Sequence, residues 1–308
     1  MTAVIAATHL SKWYGHVLGL NDVSLEIEEG ITGLLGPNGA GKSTFMKLAT
    51  GQLKPNIGMV TVHGCRTWNT PGLFRNIGFC PEPDAFYDDM TGFEFLSGLL
   101  RFYGFSAKER RERAARALEI VDLAGDKDRL IRGYSRGMRQ RVKFAQTIAH
   151  DPEVLILDEP LSGLDPLGKR KLIRLIRDLK SQGRTVLVSS HVLPEIEALT
   201  SRIVLIHQGQ ILAQGDISLV RELIEGHPHQ ISVRSSDPRG LAARFVADPA
   251  VLKMTFDPDG RTFVIETRNR DELFGHLASA ALAAGIEIEE ISSPDDNLQA
   301  VFEYLVGK

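Results

Sequence analysis

The amino-acid sequence predicts an α/β fold built around a parallel sheet. Three apolar runs, "ITGLL", "EVLIL" and "TVLVSS", are typical of strands that are buried on both faces of a sheet. Helical segments alternate with these runs. The clearest has Asp165 and Pro166 as N-cap and first-turn proline, and it ends at Gly183. Strands that alternate with helices in this way favour a parallel sheet covered by helices.

Two regions around this core have a different character. Near the N-terminus, residues 3–10 and 22–30 have the pattern of strands, and residues 11–21 are predicted to be a loop between them. From about residue 88 to residue 149 the pattern is helical, which predicts a helical insertion. Two capping boxes mark helix starts in this insertion: Thr91 with Glu94, and Ser106 with Glu109.

The C-terminal part is predicted to be a separate domain. Residues 225–230, "EGHPHQ", have the composition of a linker, and its two histidines are loop residues or, less simply, ligands of a metal that needs three or four. We expect domains at 1–225 and 230–308. A strand–helix–strand–strand–helix–strand order predicts a small α+β, ferredoxin-like domain. These six segments and a last helix are 230–235, 238–247, 251–257, 262–268, 271–285, 286–292 and 296–306.

Composition excludes several classes of function. The chain has 308 residues and a net charge of -3, so bulk electrostatics give no reason to expect nucleic-acid binding. Its two cysteines provide no disulfide framework, and we expect both to be reduced. No secretory leader pattern or run of ~17–25 apolar residues occurs, so we expect a soluble chain whose membrane role would need a partner.

A phosphate-binding loop is predicted where the first apolar run ends. The segment "GPNGAGKST" places Gly36, Gly41, Lys42 and Ser43 in the pattern G-x-x-x-x-G-K-[ST]. Glycines let backbone N–H groups approach phosphate oxygens, the lysine adds a positive charge, and the serine hydroxyl can ligate Mg²⁺. A simple glycine turn is the alternative, but a strand before and a helix after the motif favour a nucleotide seat.

Acidic residues and a histidine follow two other apolar runs. Asp158 and Glu159 come directly after "VLIL", where a parallel sheet presents ligands at its carboxyl edge. There Asp158 can hold Mg²⁺ and Glu159 can accept a proton from an attacking water, unless both are merely solvated. His191 follows "TVLVSS" and has two readings of equal weight: a contact to the γ-phosphate or a helix-capping residue.

Four motifs in order resemble the ATP-binding subunit of ABC transporters. They are "GPNGAGKST", "YSRGMRQR", "LILDEPLSGLD" and "SSHVLPE", and the resemblance covers about residues 3–215. It implies a P-loop NTPase core of the ABC ATPase type, with an N-terminal antiparallel β subdomain and a helical subdomain at about 88–149.

The resemblance also implies roles for individual residues. Tyr14 matches the aromatic residue that stacks on adenine, and Ser135 and Gly137 match the signature that contacts ATP held by the opposite subunit. Asp158 and Glu159 match the Walker B acid and the catalytic base, and residues 162–165 match the loop that joins the two sites. His191 matches the switch histidine. The Walker A loop is Gly36, Pro37, Asn38, Gly39, Ala40, Gly41, Lys42, Ser43 and Thr44.

Two departures from the usual ABC pattern point to a subfamily. The signature reads "YSRGM" rather than L-S-G-G-Q, and Glu82 stands where a Mg²⁺-coordinating glutamine is usual. Both resemble ATPases of ABC-2 type exporters, whose membrane subunits are separate chains. The implied ligands are ATP and Mg²⁺, with the metal at Ser43, Glu82 and Asp158.

The function that the resemblance implies is ATP-driven export. We expect two copies, or one copy and a homologous subunit, to clamp ATP on the cytoplasmic side of the cell membrane and to act on separate permease subunits. No nucleic-acid partner is expected. The main alternative is a soluble ABC-type ATPase that acts on nucleic acid or ribosomes, and a small-molecule kinase is a weaker one.

Overall fold

The computed structural model describes residues 3–217, 229–257 and 260–293, and the chain divides into two compact units, Met1–Ile217 and Ser218–Lys308. Three predicted segments lie wholly or partly outside the described residues. They are most of the linker at 225–230, the helix at 296–306, and residues 257–260, where the sequence "DPDG" predicts a turn between two strands. Among the described residues, no helix is both long enough and apolar enough to cross a bilayer.

The first unit combines two sheets with six α-helices among its described residues. Its strands are β1 (Ile5–Tyr14), β2 (Val17–Ile27), β3 (Ile31–Leu35), β4 (Ile57–Val62), β5 (Cys65–Arg66), β6 (Ile77–Cys80), β7 (Val154–Leu157), β8 (Thr185–Ser190), β9 (Arg202–His207) and β10 (Gln210–Asp216). Its helices are α1 (Lys42–Ala49), α2 (Gly92–Leu100), α3 (Ala107–Ile120), α4 (Arg136–Ile148), α5 (Pro166–Ser181) and α6 (Leu193–Glu197).

The central sheet has the parallel core that the sequence predicts. Its strand order is β10-β9-β3-β8-β7-β6, in which only the edge strand β10 is antiparallel to its neighbour. Every residue of β3, β7 and β8 is buried, as expected for strands covered on both faces. Phe45 and Met46 of α1 are also fully buried in this core, which anchors the helix that follows β3. Burial of each such side chain contributes about 1.5–3 kcal/mol.

The second sheet of this unit is antiparallel, with the order β2-β1-β4-β5. The predicted loop at 11–21 is wrong, because β1 runs on to Tyr14 and β2 begins at Val17. The pairing of these two strands shifts register at three places between Ala7 and Trp13. Such bulges interrupt the alternation of apolar and polar residues, and this hides a strand from a pattern search.

The predicted helical insertion contains α2, α3 and α4, joined by short 3₁₀ turns. Both predicted capping boxes are confirmed. Thr91 accepts from the backbone N–H of Glu94 and Ser106 from that of Glu109, and each glutamate accepts from its cap residue in return. A third helix start uses Ser135, whose Oγ accepts from the N–H of Met138.

The second unit contains one antiparallel sheet and two helices among its described residues. Its elements are β11 (His229–Ser235), α7 (Pro238–Ala243), β12 (Val251–Phe256), β13 (Thr262–Thr267), α8 (Arg270–Ala284) and β14 (Ile288–Ser292), and its strand order is β12-β13-β11-β14.

One helix of this unit is shorter than predicted. The sequence suggests a helix over 238–247, but α7 ends at Ala243. Arg244 and Phe245 donate to the carbonyls three residues earlier, which tightens the last turn, and Phe245 is buried in the core of the unit.

The two cysteines are free, as predicted. Cys80 ends β6 and is fully buried, and this burial raises the pKa of its thiol to about 12. It therefore stays protonated at neutral pH and behaves as a small core residue. Cys65 is exposed.

Candidate functional site

The loop between β3 and α1 has a backbone that only glycine can adopt at several positions. Gly39 and Gly41 have φ values of 80° and 109°, in the left-handed region. A Cβ at Gly41 would lie 2.8 Å from the carbonyl oxygen of Gly19, and one at Gly36 would collide with the carbonyl oxygen of Ile206. The glycines of the motif therefore have a steric cause, as well as the functional one inferred from the sequence.

Lys42, the first residue of α1, is almost completely buried beneath this loop. Its Nζ donates to the carbonyl oxygens of Gly36 at 2.7 Å and of Pro37 at 3.2 Å. The same atom lies 3.3 Å from Oε1 of Glu159, and both side chains are less than a tenth exposed. A buried ion pair in which the cation also makes hydrogen bonds fixes both partners in place.

Asp158 and Glu159 follow β7 and are both held by Ser189, at the end of β8. The Ser189 Oγ donates to Oδ1 of Asp158 at 2.7 Å and accepts from the backbone N–H of Glu159 at 2.9 Å. Glu159 has a φ of 48°, which is uncommon for a residue other than glycine. Sequence analysis missed Ser189, although its position at the carboxyl end of an apolar strand beside His191 was an available signal.

His191 meets Glu159 across the same edge of the sheet. Its Nδ1 lies 3.1 Å from each carboxylate oxygen of Glu159. The next helix, α6, has Val192 as its N-cap, and no side chain caps it. Helix capping, the alternative reading of His191, therefore does not describe its contacts.

The predicted nucleotide residues line two clefts that share Ser43 and Glu82. One cleft, of about 460 Å³, is bounded by the glycine-rich loop, Glu159 and Tyr14, whose hydroxyl lies 3.4 Å from Oγ1 of Thr44. Its size falls within the range of small-molecule sites, about 300–1,000 Å³. The other cleft contains Asp158. The residues that line the first cleft and come from the glycine-rich loop are Pro37, Asn38, Gly39, Ala40, Gly41, Lys42, Ser43 and Thr44.

Comparison with known proteins identifies the family. The family profile described as ABC transporter matches residues 20–162. The bacitracin transport ATP-binding protein BcrA of Enterococcus faecalis is 33% identical over 100% of this chain and 97% of its own length. The chain belongs to the ABC transporter family. It is an ATP-binding subunit and an ATPase, which confirms the resemblance drawn from the four motifs.

Other similarities support the same assignment of this ABC ATPase. An uncharacterized ABC transporter ATP-binding protein of Synechocystis sp. is 38% identical over 68% of this chain and 60% of its own length. The dimeric structure of MJ0796, a bacterial ABC transporter cassette, superimposes with a TM-score of 0.65 at 26% identity, and the match covers 69% of this chain and 98% of that one.

The signature residues of this ABC ATPase lie apart from the phosphate loop. Ser135 and Gly137 line a separate groove together with Leu164 and Asp165. A Cβ at Gly137 would meet nothing closer than the Leu164 side chain at 3.8 Å, so the first turn of α4 is open. The structure therefore brings together the Walker A loop, Tyr14, Glu82 and the two acids, but not Ser135 and Gly137. Arg136, which lies between them in the signature, lines the cleft that contains Asp158.

The donors in the second cleft suit a hard cation. Ser43, Glu82 and Asp158 offer only oxygen atoms, the ligands that Mg²⁺ prefers. Within the described ranges, no group of three or more His, Cys, Asp or Glu residues could hold a metal by itself. Mg²⁺ is commonly bound by one or two carboxylates together with substrate phosphates, and Glu82 and Asp158 are the carboxylates among these three residues.

Proposed function

We propose that this ATPase is the energy-providing subunit of an ABC-2 type membrane exporter, and that it works as a pair of subunits. The observation that carries the proposal is the separation of two half-sites on one chain. The loop with Lys42 and Glu159 forms one cleft, whereas Ser135 and Gly137 line another groove. A nucleotide in the first cleft would be closed over by the second half-site of a partner copy.

In the proposed binding mode, each part of the first half-site has one task. The loop N–H groups and the N-terminus of α1 hold the phosphates, because a helix start carries roughly half a positive charge. Tyr14, at the rim, stacks on the adenine ring. Ser43, Glu82 and Asp158 would hold Mg²⁺, which neutralises phosphate charge when bound.

Glu159 is proposed as the general base. Its carboxylate contacts Lys42 and His191, and its backbone N–H donates to Ser189, so the side chain is held where it lines the cleft. Phosphate oxygens would compete with Glu159 for the ammonium of Lys42, which leaves the carboxylate free to accept a proton from water. His191 would keep the carboxylate oriented as Lys42 changes partners.

The coupling to transport follows from differential affinity. ATP held between two copies stabilises the closed pair, and loss of the γ-phosphate removes contacts that both copies make, so the open state becomes favoured. The relatives favour this function over action on nucleic acid or ribosomes, since one of them is a bacitracin transport ATP-binding protein.

We propose that the permease docks on the helical insertion. An apolar groove at the edge of the insertion is lined by residues of both regions, among them Leu96, Leu99 and Phe102 of the insertion and Pro71 and Phe74 of the core. Phe102 is 88% exposed. An apolar segment of a membrane subunit would fill this groove and place the ATPase on the cytoplasmic side of the membrane.

The second unit is proposed as a ferredoxin-like accessory domain, with 1–225 as the ATP-binding domain and 230–308 as the accessory one. Its element order, β11-α7-β12-β13-α8-β14, and the pairing of β11 with both β13 and β14 support this topology.

The proposal is tested with Glu159→Gln. Loss of the general base should lower ATP turnover by ~10²–10⁴, while ATP still binds and closed dimers accumulate. Phosphate release and light scattering with ATP measure these two effects. Glu153→Gln, at an exposed acid just before β7, is the control and should keep normal turnover. Near-normal turnover of the Glu159 variant, or a monomer that persists with ATP, would contradict the proposal.

A further inference from the structure

Lys143 is a charged residue buried beside the nucleotide clefts. It lies in α4 and is 3% exposed. Burial of an ammonium group is costly unless the group is paired and hydrogen-bonded. Its Nζ meets that condition, since it donates to the backbone carbonyl oxygen of Glu82 at 2.6 Å and lies 3.1 Å from Oδ1 of Asp84.

Both partners of Lys143 belong to a segment without regular structure. Residues 81–88 follow β6 and form neither helix nor strand. Glu82 and Asp84 line the same cleft as Ser43 and Asp158. No ladder of backbone hydrogen bonds runs along this segment, and the bond that Asp88 accepts from the N–H of Arg132 lies at its far end, so side chains from elsewhere contribute to holding Glu82.

A second contact from α4 supports the same function. Arg139 lies one turn before Lys143, and its Nη2 donates to Oδ1 of Asp88 at 2.9 Å. The Arg139 guanidinium is also 5.9 Å from the ring of Phe86. Thus one face of α4 holds the segment at two places. Lys143 holds the end that carries Glu82.

We propose that Lys143 is a positioning residue of the ATPase, which fastens residues 82–84 to α4 so that the Glu82 carboxylate is presented to Mg²⁺-nucleotide. This inference rests on the proposed role of Glu82 as a metal ligand. It also gives α4 a second task, because the same helix begins at the signature residue Ser135. Displacement of α4 would then move Glu82 as well.

The first test uses Lys143→Met, which keeps the length of the side chain and removes its charge. In the absence of nucleotide and metal, hydrogen exchange of the 82–88 amides should become faster. The affinity for a fluorescent ATP analogue, measured without Mg²⁺, should change by less than twofold. The increase in affinity that Mg²⁺ brings should fall by about 10–100-fold, the usual effect of losing a residue that orients a ligand.

A double-variant cycle separates positioning from general stability. If Lys143 acts through the side chain at position 82, adding Lys143→Met to Glu82→Ala should have little further consequence. The increase in ATP-analogue affinity that Mg²⁺ brings should then differ by less than twofold between the single and the double variant. If the two losses multiply, Lys143 has a merely structural role and the proposal is wrong.

Two more variants complete the test. Asp84→Ala removes the exposed partner, is a smaller perturbation of the core, and should give a weaker effect in the same direction. Lys108→Met is the control, because it breaks an exposed ion pair with Glu112 within α3, and Lys108 lines neither nucleotide cleft. If Glu82→Ala leaves Mg²⁺ dependence unchanged, the proposed role of Glu82 fails. If Glu82→Ala changes it but neither Lys143→Met nor Asp84→Ala does, the inference about Lys143 fails.

Discussion

At the scale of single residues, the hydroxyl of Ser189 makes a bond to each of the two acids that follow β7. It donates to Asp158 and accepts from the N–H of Glu159. Glu159 has a left-handed backbone conformation, which costs on the order of 1–3 kcal/mol for a residue of this kind. The bond from Ser189 therefore helps to hold Glu159 in a conformation that it would otherwise leave.

We expect Ser189→Ala to lower kcat by about 10–100-fold, because Asp158 and Glu159 lose their orientation. KM for ATP should change little, because the nucleotide keeps its own contacts. Unfolding in urea should show a loss of about 1–3 kcal/mol for the unpaired N–H. Ser190→Ala is a matched control, since that buried hydroxyl donates to Glu195 instead. Equal kcat values for the two variants would refute this role of Ser189.

The motifs predicted these acids but not the residue that orients them. Asp158 and Glu159 were found because they stand directly after an apolar strand, which is a local pattern. Ser189 is 30 residues away along the chain from Glu159, and only the parallel pairing of β7 and β8 brings it there. A burial pattern within one strand contains no information about which side chain of the neighbouring strand it will meet.

At the scale of elements, His150 connects three of them just after α4. Its ring stacks on Tyr103 at 4.2 Å between centroids, and its Nε2 donates to the carbonyl oxygen of Ile77, the first residue of β6. Burial lowers the pKa of His150 to about 4, because a charged imidazolium would lose its hydration. The histidine is therefore a neutral packing residue at physiological pH.

His150 should make the protein less stable in mild acid. The folded state binds its proton only near pH 4, whereas the unfolded chain binds one near pH 6.5. The contribution of the neutral ring to the free energy of unfolding is therefore fully present above about pH 6.5. It falls by roughly 3 kcal/mol as the pH drops to 4. Urea unfolding of the wild type and of His150→Gln at pH 7 and pH 4.5 measures this.

The variant cannot gain the proton, so the stability difference between the two proteins should shrink at the lower pH. A difference that does not change with pH would contradict the prediction.

Elements that are marked by residues close together in the sequence were predicted well. Elements whose limits depend on contacts with distant parts of the chain were not. Both capping boxes lie within one helical turn, and the structure contains both. The strands over 11–14 and 17–21 were missed because bulges break their alternation. The end of α7 was also missed, since it depends on how Phe245 packs into the core of its unit.

At the scale of the whole molecule, Phe102 is the most exposed large apolar side chain of the helical insertion, and the groove beside it is the proposed docking site of the membrane subunit. Phe102 follows α2, and the groove beside it is lined on one side by α2 and on the other by the 3₁₀ turn at Pro71–Arg75. This groove belongs to both the insertion and the ATP-binding core. A partner seated there would sense the position of one relative to the other.

Phe102→Ser should weaken recovery of the membrane subunit in co-purification by at least about tenfold, since an aromatic anchor often contributes 2 kcal/mol or more. ATP turnover of the isolated protein should not change. Val246→Ser, at another exposed apolar residue in the second unit, is the control and should recover the membrane subunit normally. Equal recovery with both variants would exclude the groove as the docking site.

The two-unit organisation was predicted from a change of pattern, and the structure divides the chain after Ile217, before the predicted linker. The resemblance to ABC ATPases also indicated two half-sites, because it implied that the signature contacts ATP held by the opposite subunit. The sequence did not show that the signature and the Walker motifs line different grooves of one chain. That depends on the positions of the N-termini of α4 and α5 in the fold.

The reciprocal caps at Thr91 and Ser106 have a mechanical consequence. Each cap makes its two bonds within a single turn. The first turn of α2 makes a further bond, from the N–H of Phe93 to the carbonyl oxygen of Lys127, which also lies in the insertion, so none of these bonds reaches the sheet. A rotation of the whole insertion against the sheet would therefore leave the first turns of both helices intact. The N-termini of α2 and α3 therefore need no hydrogen bond from the sheet while the insertion changes its position.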